Sequence, residues 1–427
     1  MSSDALQRNP ARPLIKNLDD LPFINEYCYL EPQNYYRELN IMTGRGCPFH
    51  CAFCHEGAHT KAVRFRSVEN VLAEIDVYLK NWSGDEAYIL FTDDTFTLNF
   101  ERLKKICEGL IERRKKYNFT FFCEGHVHTL YKNPEMINWL AKAGCERLQL
   151  GIEAGTLEVL KAYGKNSTTE EIFEVVRLCR DVGIHQIYGN IILGGANFSR
   201  AVYEADKKFV RELIFEGQGA VEIGIVTFWP LPETKMSTSP ATFGINICDK
   251  DFLTSVGDFP QTETAELDRL TIAEMQTTFQ NEISAQMISM LKSRQVPTER
   301  ILSWFPKSKY TNNYGLWFIE LQKQEILFSY YEMLRLCEGF ESKAIKNLSA
   351  AHPLRVFELY KHLKKIDKNS ALICGEKFVG KELEILTLTT GKLSVSDIAE
   401  KIGISISEVI KVLNRLEKNF LIVYANY

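Results

Sequence analysis

The sequence predicts an α/β fold built on a parallel sheet, followed by a helical extension and a small winged helix-turn-helix domain. Three observations predict it. From Glu38 to Pro232, short apolar runs rich in β-formers alternate with amphipathic helical patterns, the signature of repeated βα units. A polar stretch after Pro240 gives way to long helical patterns at Leu270–Arg294 and Tyr314–Phe340. Beyond Ser370, Gly and Ser sit where helix turns and caps are needed. The expected divisions are a linker segment over 1–37, the βα region over 38–235, a helical extension over 236–369 and the winged helix over 370–427.

Within the βα region, strands are expected at Glu38–Thr43, Ala87–Thr92, Thr120–Glu124, Arg147–Gly151, Gln186–Leu193 and Val221–Phe228. Helices are expected at Val68–Asn81, Phe100–Lys116, Pro134–Ala143 and Thr169–Val182, with Gly144 and Gly183 placed as C-caps. The last domain reads as a strand (Ala371–Cys374), a helix (Lys381–Thr389), the helix pair Val395–Ile402 and Ile406–Asn419, and a final strand Leu421–Tyr424. Ser394 or Ser396 caps the first of the pair, Ser405 or Ser407 the second, and Gly403 makes the turn.

The chain has 427 residues, a net charge of -4 with intermixed signs, and 11 cysteines. That charge points away from a polyanion binder. Met1 to Asp20 is polar and carries Arg8, Arg12 and Lys16, so no secretory core is expected, no apolar run approaches membrane-spanning length, and the expected compartment is the cytoplasm. An odd cysteine count in a reducing compartment is not a disulfide framework.

Three of those cysteines carry the chemistry. Cys47, Cys51 and Cys54, in Gly44-Arg45-Gly46-Cys47-Pro48-Phe49-His50-Cys51-Ala52-Phe53-Cys54, are spaced CxxxCxxC. Three thiolates on one loop hold three irons of a [4Fe-4S] cube and leave the fourth open to a ligand that is not protein. The alternative is a zinc site with His50 or His55 as fourth ligand, which this spacing serves poorly. The remaining cysteines are scattered singly, which gives no support to an auxiliary cluster; Cys107 and Cys179 fall on apolar helix faces and read as core filler.

The motif, with Phe53 just before its last cysteine and an Arg-Gly lead-in, resembles the radical S-adenosylmethionine (SAM) superfamily. The six βα units then match that family's partial (β/α)6 TIM-type barrel, whose chemistry collects at the C-terminal strand ends. The resemblance implies a [4Fe-4S] cluster and SAM as cofactors, and a flavodoxin- or ferredoxin-type electron donor. It also implies site residues. Asp93 and Asp94 stand where the family's GGE-type loop binds the SAM amino group, though the pair also reads as a helix N-cap before Phe100. Glu153, in Gly151-Ile152-Glu153-Ala154-Gly155, stands where the ribose hydroxyls are bound. Lys165 resembles the residue that pairs with the SAM carboxylate, and reads equally as a solvated lysine beside a helix start. Cys123 and Glu124, at the end of the third strand, read as substrate contacts or as barrel packing. Leu21-Pro22-Phe23 and Tyr35-Tyr36 look like the linker that follows the cobalamin domain in cobalamin-dependent relatives; the stretch before them is too short for such a domain, which disfavours cobalamin methyl transfer.

Between Glu376 and Lys418 there are seven basic and seven acidic residues. A neutral winged helix is a poor reader of duplex DNA. The order of elements resembles instead the PqqD-like recognition element of ribosomal peptide maturases, which captures a leader peptide by strand addition. The expected partner is therefore a precursor peptide, with neither nucleic acid nor membrane involved. Together these features resemble the proteusin-type peptide epimerases, in which a cysteine returns hydrogen to a Cα radical; Cys337 is the first candidate for that donor and Cys374 the second. The alternatives are a radical SAM enzyme that forms a crosslink or other new bond on a peptide, and an iron-sulfur regulator that binds DNA.

Overall fold

A computed structural model describes residues 12–24, 38–59, 62–82, 87–248, 259–293, 295–297, 300, 316–317, 348–350, 352–355, 364–373, 376–390, 392–418 and 422–425. The chain divides into two compact units, Met1–Ile283 and Ser284–Tyr427.

The first unit is organised by one six-stranded sheet: β1 (Leu39–Ile41), β2 (Ala87–Phe91), β3 (Phe119–Gly125), β4 (Cys145–Glu153), β5 (Gln186–Leu193) and β6 (Val221–Thr227). The strands lie in sequence order and every neighbouring pair is parallel. Each crossover needs a helix, and the sequence supplies α1 (Val68–Asn81), α2 (Phe100–Arg114), α3 (Val127–Lys132), α4 (Glu135–Ala143), α5 (Leu157–Ala162), α6 (Thr169–Asp181) and α7 (Arg200–Gly217). Caps begin them: Ser67 accepts from the Asn70 N–H at 3.1 Å, and Thr168 with Glu171 forms a capping box on α6. The cap before Phe100 is Asn99, which accepts from the Arg102 N–H, so the Asp93-Asp94 pair does not cap that helix.

The core lies between the sheet and these helices. On α1 the buried apolar positions Val71, Ile75, Tyr78 and Leu79 form one helical stripe. Phe91 of β2 meets Phe121 of β3 edge-on at 5.3 Å, and both are fully buried. Alternation along β3 separates two neighbours that the sequence reads as substrate contacts or as barrel packing. Glu124 is only part-buried on the concave face, whereas Cys123 is fully buried with its thiol 4.0 Å from that of Cys145. Adjacent strand residues point to opposite faces, so Cys123 belongs to the core. α7 carries a fully buried acid, Asp206, within its stripe of Tyr203, Phe209, Val210, Leu213 and Ile214.

In the second unit, Lys364–Asp367, Ser370–Ile373 and Glu376–Val379 form a three-stranded antiparallel sheet, and His352–Arg355 pairs antiparallel with Ile422–Ala425. The helices Lys381–Leu388, Val395–Ile402 and Ile406–Lys418 lie between those strands in the chain. Ser394 closes a capping box with Asp397, and Gly403 ends its helix at φ 70°. Most of the expected helix Tyr314–Phe340 lies outside the described residues, as do Cys337 and Cys374. Among the described residues no helix is long and apolar enough to cross a membrane.

One buried ion pair ties α1 to the segment after β1. Arg66 and Glu74 are 2.5 Å apart, both buried; Arg66 also donates to the Met42 carbonyl at 3.0 Å, and Glu74 accepts from the Ile24 N–H at 3.0 Å. Removing one partner leaves the other charged and enclosed. We expect Glu74→Ala to lower stability by about 3–5 kcal/mol, read as a reduced urea midpoint for the metal-free protein.

Candidate active site

The loop carrying Cys47, Cys51 and Cys54 leaves the end of β1 and is fastened at several points around the sheet's C-terminal edge. The Gly46 N–H donates to Asp94 Oδ2 at 3.0 Å, beyond β2. Phe49 stacks on His126, after β3, with ring centroids 3.7 Å apart and planes 10° off parallel. The Ala52 N–H donates to the Tyr163 carbonyl at 2.8 Å, after α5, and the Ala52 carbonyl accepts from the Met236 N–H at 3.1 Å, in the segment after β6. Phe53 meets Tyr163 edge-on at 5.1 Å, so its contact is with the loop's anchor. Gly164 makes this closeness possible. It stands at φ 74°, and a Cβ there would lie 3.2 Å from the His50 carbonyl oxygen.

The three thiols are free and part-exposed. Burial raises Cys47, and it pushes Cys51 up to about 11 although the Lys165 ammonium pulls the other way. Iron supplies the positive charge that such thiolates need. Among the described residues no three His, Cys, Asp or Glu side chains converge to enclose a single metal ion. Three free thiols spread along one anchored loop suit a polynuclear cluster better than a closed tetrahedral zinc site.

The two aspartates after β2 face different ways. Both oxygens of Asp93 are used by Thr43, which donates its N–H and its hydroxyl at 2.5 Å each. Burial raises this acid while the Thr43 donors lower it. Asp93 thus pins β2 to the end of β1, which corrects the expectation that it faces a ligand; Asp94 is the member of the pair at the loop.

Glu153 and Lys165 come together. Their carboxylate and ammonium are 3.1 Å apart and both are largely buried. Burial lowers Lys165, but Glu153 and the Cys51 side more than offset it, and the net shift is upward. This lysine is no solvated surface residue. Gly151 gives it room, since a Cβ there would lie 2.3 Å from Lys165 Nζ.

Deeper in the barrel, Gln149 donates to Glu124 at 3.2 Å. Burial, then Asp94 and Glu153, push Glu124 up to about 7. Sequence reasoning did not find Tyr163, His126 or Met236, because two of them act through backbone atoms that any residue carries. Gly164 was their one legible signal.

Residues 41–204 match the family model described as the Radical SAM superfamily. The chain carries a radical SAM domain. The chain is 31% identical over 214 residues to an uncharacterized methyltransferase of Pyrococcus horikoshii, covering 49% of this chain and 45% of that protein. It is 27% identical over 190 residues to the anaerobic magnesium-protoporphyrin IX monomethyl ester cyclase of Cereibacter sphaeroides, covering 43% of this chain and 30% of the cyclase. A solved structure of the radical SAM methyltransferase TsrM from Kitasatospora setae, with cobalamin and a [4Fe-4S] cluster bound, aligns at TM-score 0.44 and 20% identity, over 58% of this chain and 44% of that one. The chain thus spans less than half the length of each of these proteins. The radical SAM domain works with a [4Fe-4S] cluster and SAM, and the free thiols and the Glu153–Lys165 pair fit both.

Two outcomes follow from this geometry. Gly164→Val forces a branched side chain into left-handed backbone against the loop; we expect the reconstituted variant to hold less than half the wild-type iron and sulfide, while its far-ultraviolet circular dichroism is retained. Glu124 binds a proton up to about pH 7 in the folded protein, against about 4.3 in an unfolded chain. In that window the folded state holds the extra proton, so this group's contribution falls as pH rises from about 4 to about 7. The slope of stability against pH between about pH 4 and 7 in the cluster-free protein should therefore be more positive in Glu124→Gln than in wild type, measured by urea unfolding.

Proposed function

We propose that this chain is a radical SAM enzyme that takes a hydrogen atom from a substrate carbon and finishes by forming a new bond, with a ribosomal precursor peptide as substrate. The observation that carries the reading is the three-thiol loop anchored beside the Glu153–Lys165 pair at one end of a parallel barrel sheet. Cys47, Cys51 and Cys54 would hold the cluster. Cluster and SAM, once bound, would supply hydrogen-atom abstraction driven by one electron from a flavodoxin- or ferredoxin-type donor.

The chain's own residues set the geometry of that event. Lys165 and Glu153, held side by side, would bind SAM together, the ammonium toward its carboxylate and the Glu153 carboxylate toward its ribose hydroxyls. Asp94 would receive the SAM amino group beside the loop it already holds. Glu124 and Gln149 meet the substrate on the concave face.

Bond formation is preferred to epimerisation for two reasons. The two curated relatives are named a methyltransferase and a cyclase, both of which make bonds. Epimerisation also needs a thiol opposite the abstraction point. Among the described cysteines outside the loop, Cys107, Cys123, Cys145 and Cys179 are buried, and Cys248 is exposed just after the short strand Ile245–Ile247, outside the main sheet. Epimerisation stays as the second reading through Cys337 or Cys374. The peptide handle is supported by the second unit, whose short antiparallel sheet and capped helix pair we read as a neutral winged helix with PqqD-like order.

The test is anaerobic: reconstituted protein, SAM, reductant and the precursor peptide encoded nearest its gene, in deuterated water. We expect 5'-deoxyadenosine together with a peptide that has lost hydrogen or gained a methyl group. Gain of one deuterium with a D-residue would instead establish epimerisation, and absence of 5'-deoxyadenosine would overturn the radical SAM assignment itself.

A further inference from the structure

Behind the turn that presents Glu153 lies a buried acid with no part in the steps above. Asp206, on α7, is 1% exposed, and its Oδ1 accepts from the Gly155 N–H at 2.6 Å. The turn it touches is strained. Glu153 ends β4 at φ 65°, a left-handed backbone that an L residue with a side chain adopts at a cost, and the Ala154 N–H folds back to the Ile152 carbonyl at 2.8 Å. Such a conformation persists only where its surroundings over-determine it. Here the Lys165 ion pair holds one end of the turn and Asp206 the other.

The acid's environment makes a purely incidental contact a poor account of it. A carboxylate in a helix stripe of Tyr203, Phe209, Val210 and Leu213 is costly to bury, and burial raises it to about 7 while the Gly155 N–H draws it down. An apolar residue would pack there without that cost, but would leave the Gly155 N–H without this acceptor. What the acid adds is a fixed backbone direction two residues from the Glu153 carboxylate.

We infer that Asp206 is a positioning residue for SAM: by accepting from the Gly155 N–H it holds the left-handed turn that aims Glu153 at Lys165 and the cysteine loop. This rests on the reading that Glu153 and Lys165 hold SAM. Asp206 touches neither cofactor nor substrate, and its effect travels through one hydrogen bond to the backbone.

The test uses the full reconstituted chain, with SAM binding by equilibrium dialysis and the electron paramagnetic resonance spectrum of the reduced cluster with and without SAM. Asp206→Ala should keep wild-type iron content and the SAM-free spectrum, bind SAM about tenfold more weakly, and raise KM for SAM in 5'-deoxyadenosine formation while kcat stays within about twofold. Asp206→Asn, whose amide oxygen still accepts from Gly155, should restore the affinity. Asp206→Leu, an apolar side chain of similar shape, takes the place of alanine if that variant does not fold. Wild-type affinity in Asp206→Ala or Asp206→Leu overturns the inference, and so does an asparagine variant as weak as alanine. Glu153→Gln is measured alongside: unchanged SAM affinity there would sink the underlying reading of the site, whatever the Asp206 variants do.

Discussion

The arrangement depends on a single pair of backbone hydrogen bonds at Ala52. Its N–H is held by the Tyr163 carbonyl and its carbonyl by the Met236 N–H, so the cysteine loop that begins after β1 is tied to the segments beyond β4 and beyond β6. A partial barrel is open between its first and last strands, and a loop leaving β1 has no reason of its own to lie across that opening. The two bonds give it one. They use no side chain, so they constrain the path of the loop without constraining its sequence. Cys51 and Cys54 on either side inherit their position from it, because a loop held at Ala52, stacked through Phe49 and met edge-on at Phe53 has few other paths.

That constraint explains which parts of the site were legible. CxxxCxxC spacing, Glu153 and Lys165 stand out because their chemistry lies in side chains at fixed offsets from strand ends. The same logic failed for Asp93. Two adjacent acids look equivalent in a sequence, yet a loop between strand and helix turns one inward and the other outward. The outcome here is set by Thr43, whose two donors claim both Asp93 oxygens. For Cys123 and Glu124 the sequence left cavity contact and packing both open. Strand alternation forbids both from facing the cavity, and the buried pair of Cys123 with Cys145 decides which one does.

The sheet itself was readable strand by strand, since each buried run of β-formers is bounded by a helix cap or glycine. The helices α3, α5 and α7 were not among those read, and α3 and α5, at six residues each, are too short to show a helical period. α7 is amphipathic but carries Asp206 within its buried stripe. The partner of that acid is one hydrogen bond away, the Gly155 N–H in the turn beyond β4.

The charges around the loop point the same way as its shape. Asp94, Glu124 and Glu153 act on one another closely enough that the first and last raise the acid between them, and three cysteine sulfurs lie beside them. Lys165 answers part of this charge, and it is already engaged with Glu153. Burial first, and these neighbouring acids second, push Glu124 up to about 7, so it is partly protonated near neutral pH. A cationic group brought among these acids would favour the ionised form of each and lower the pH at which Glu124 gives up its proton.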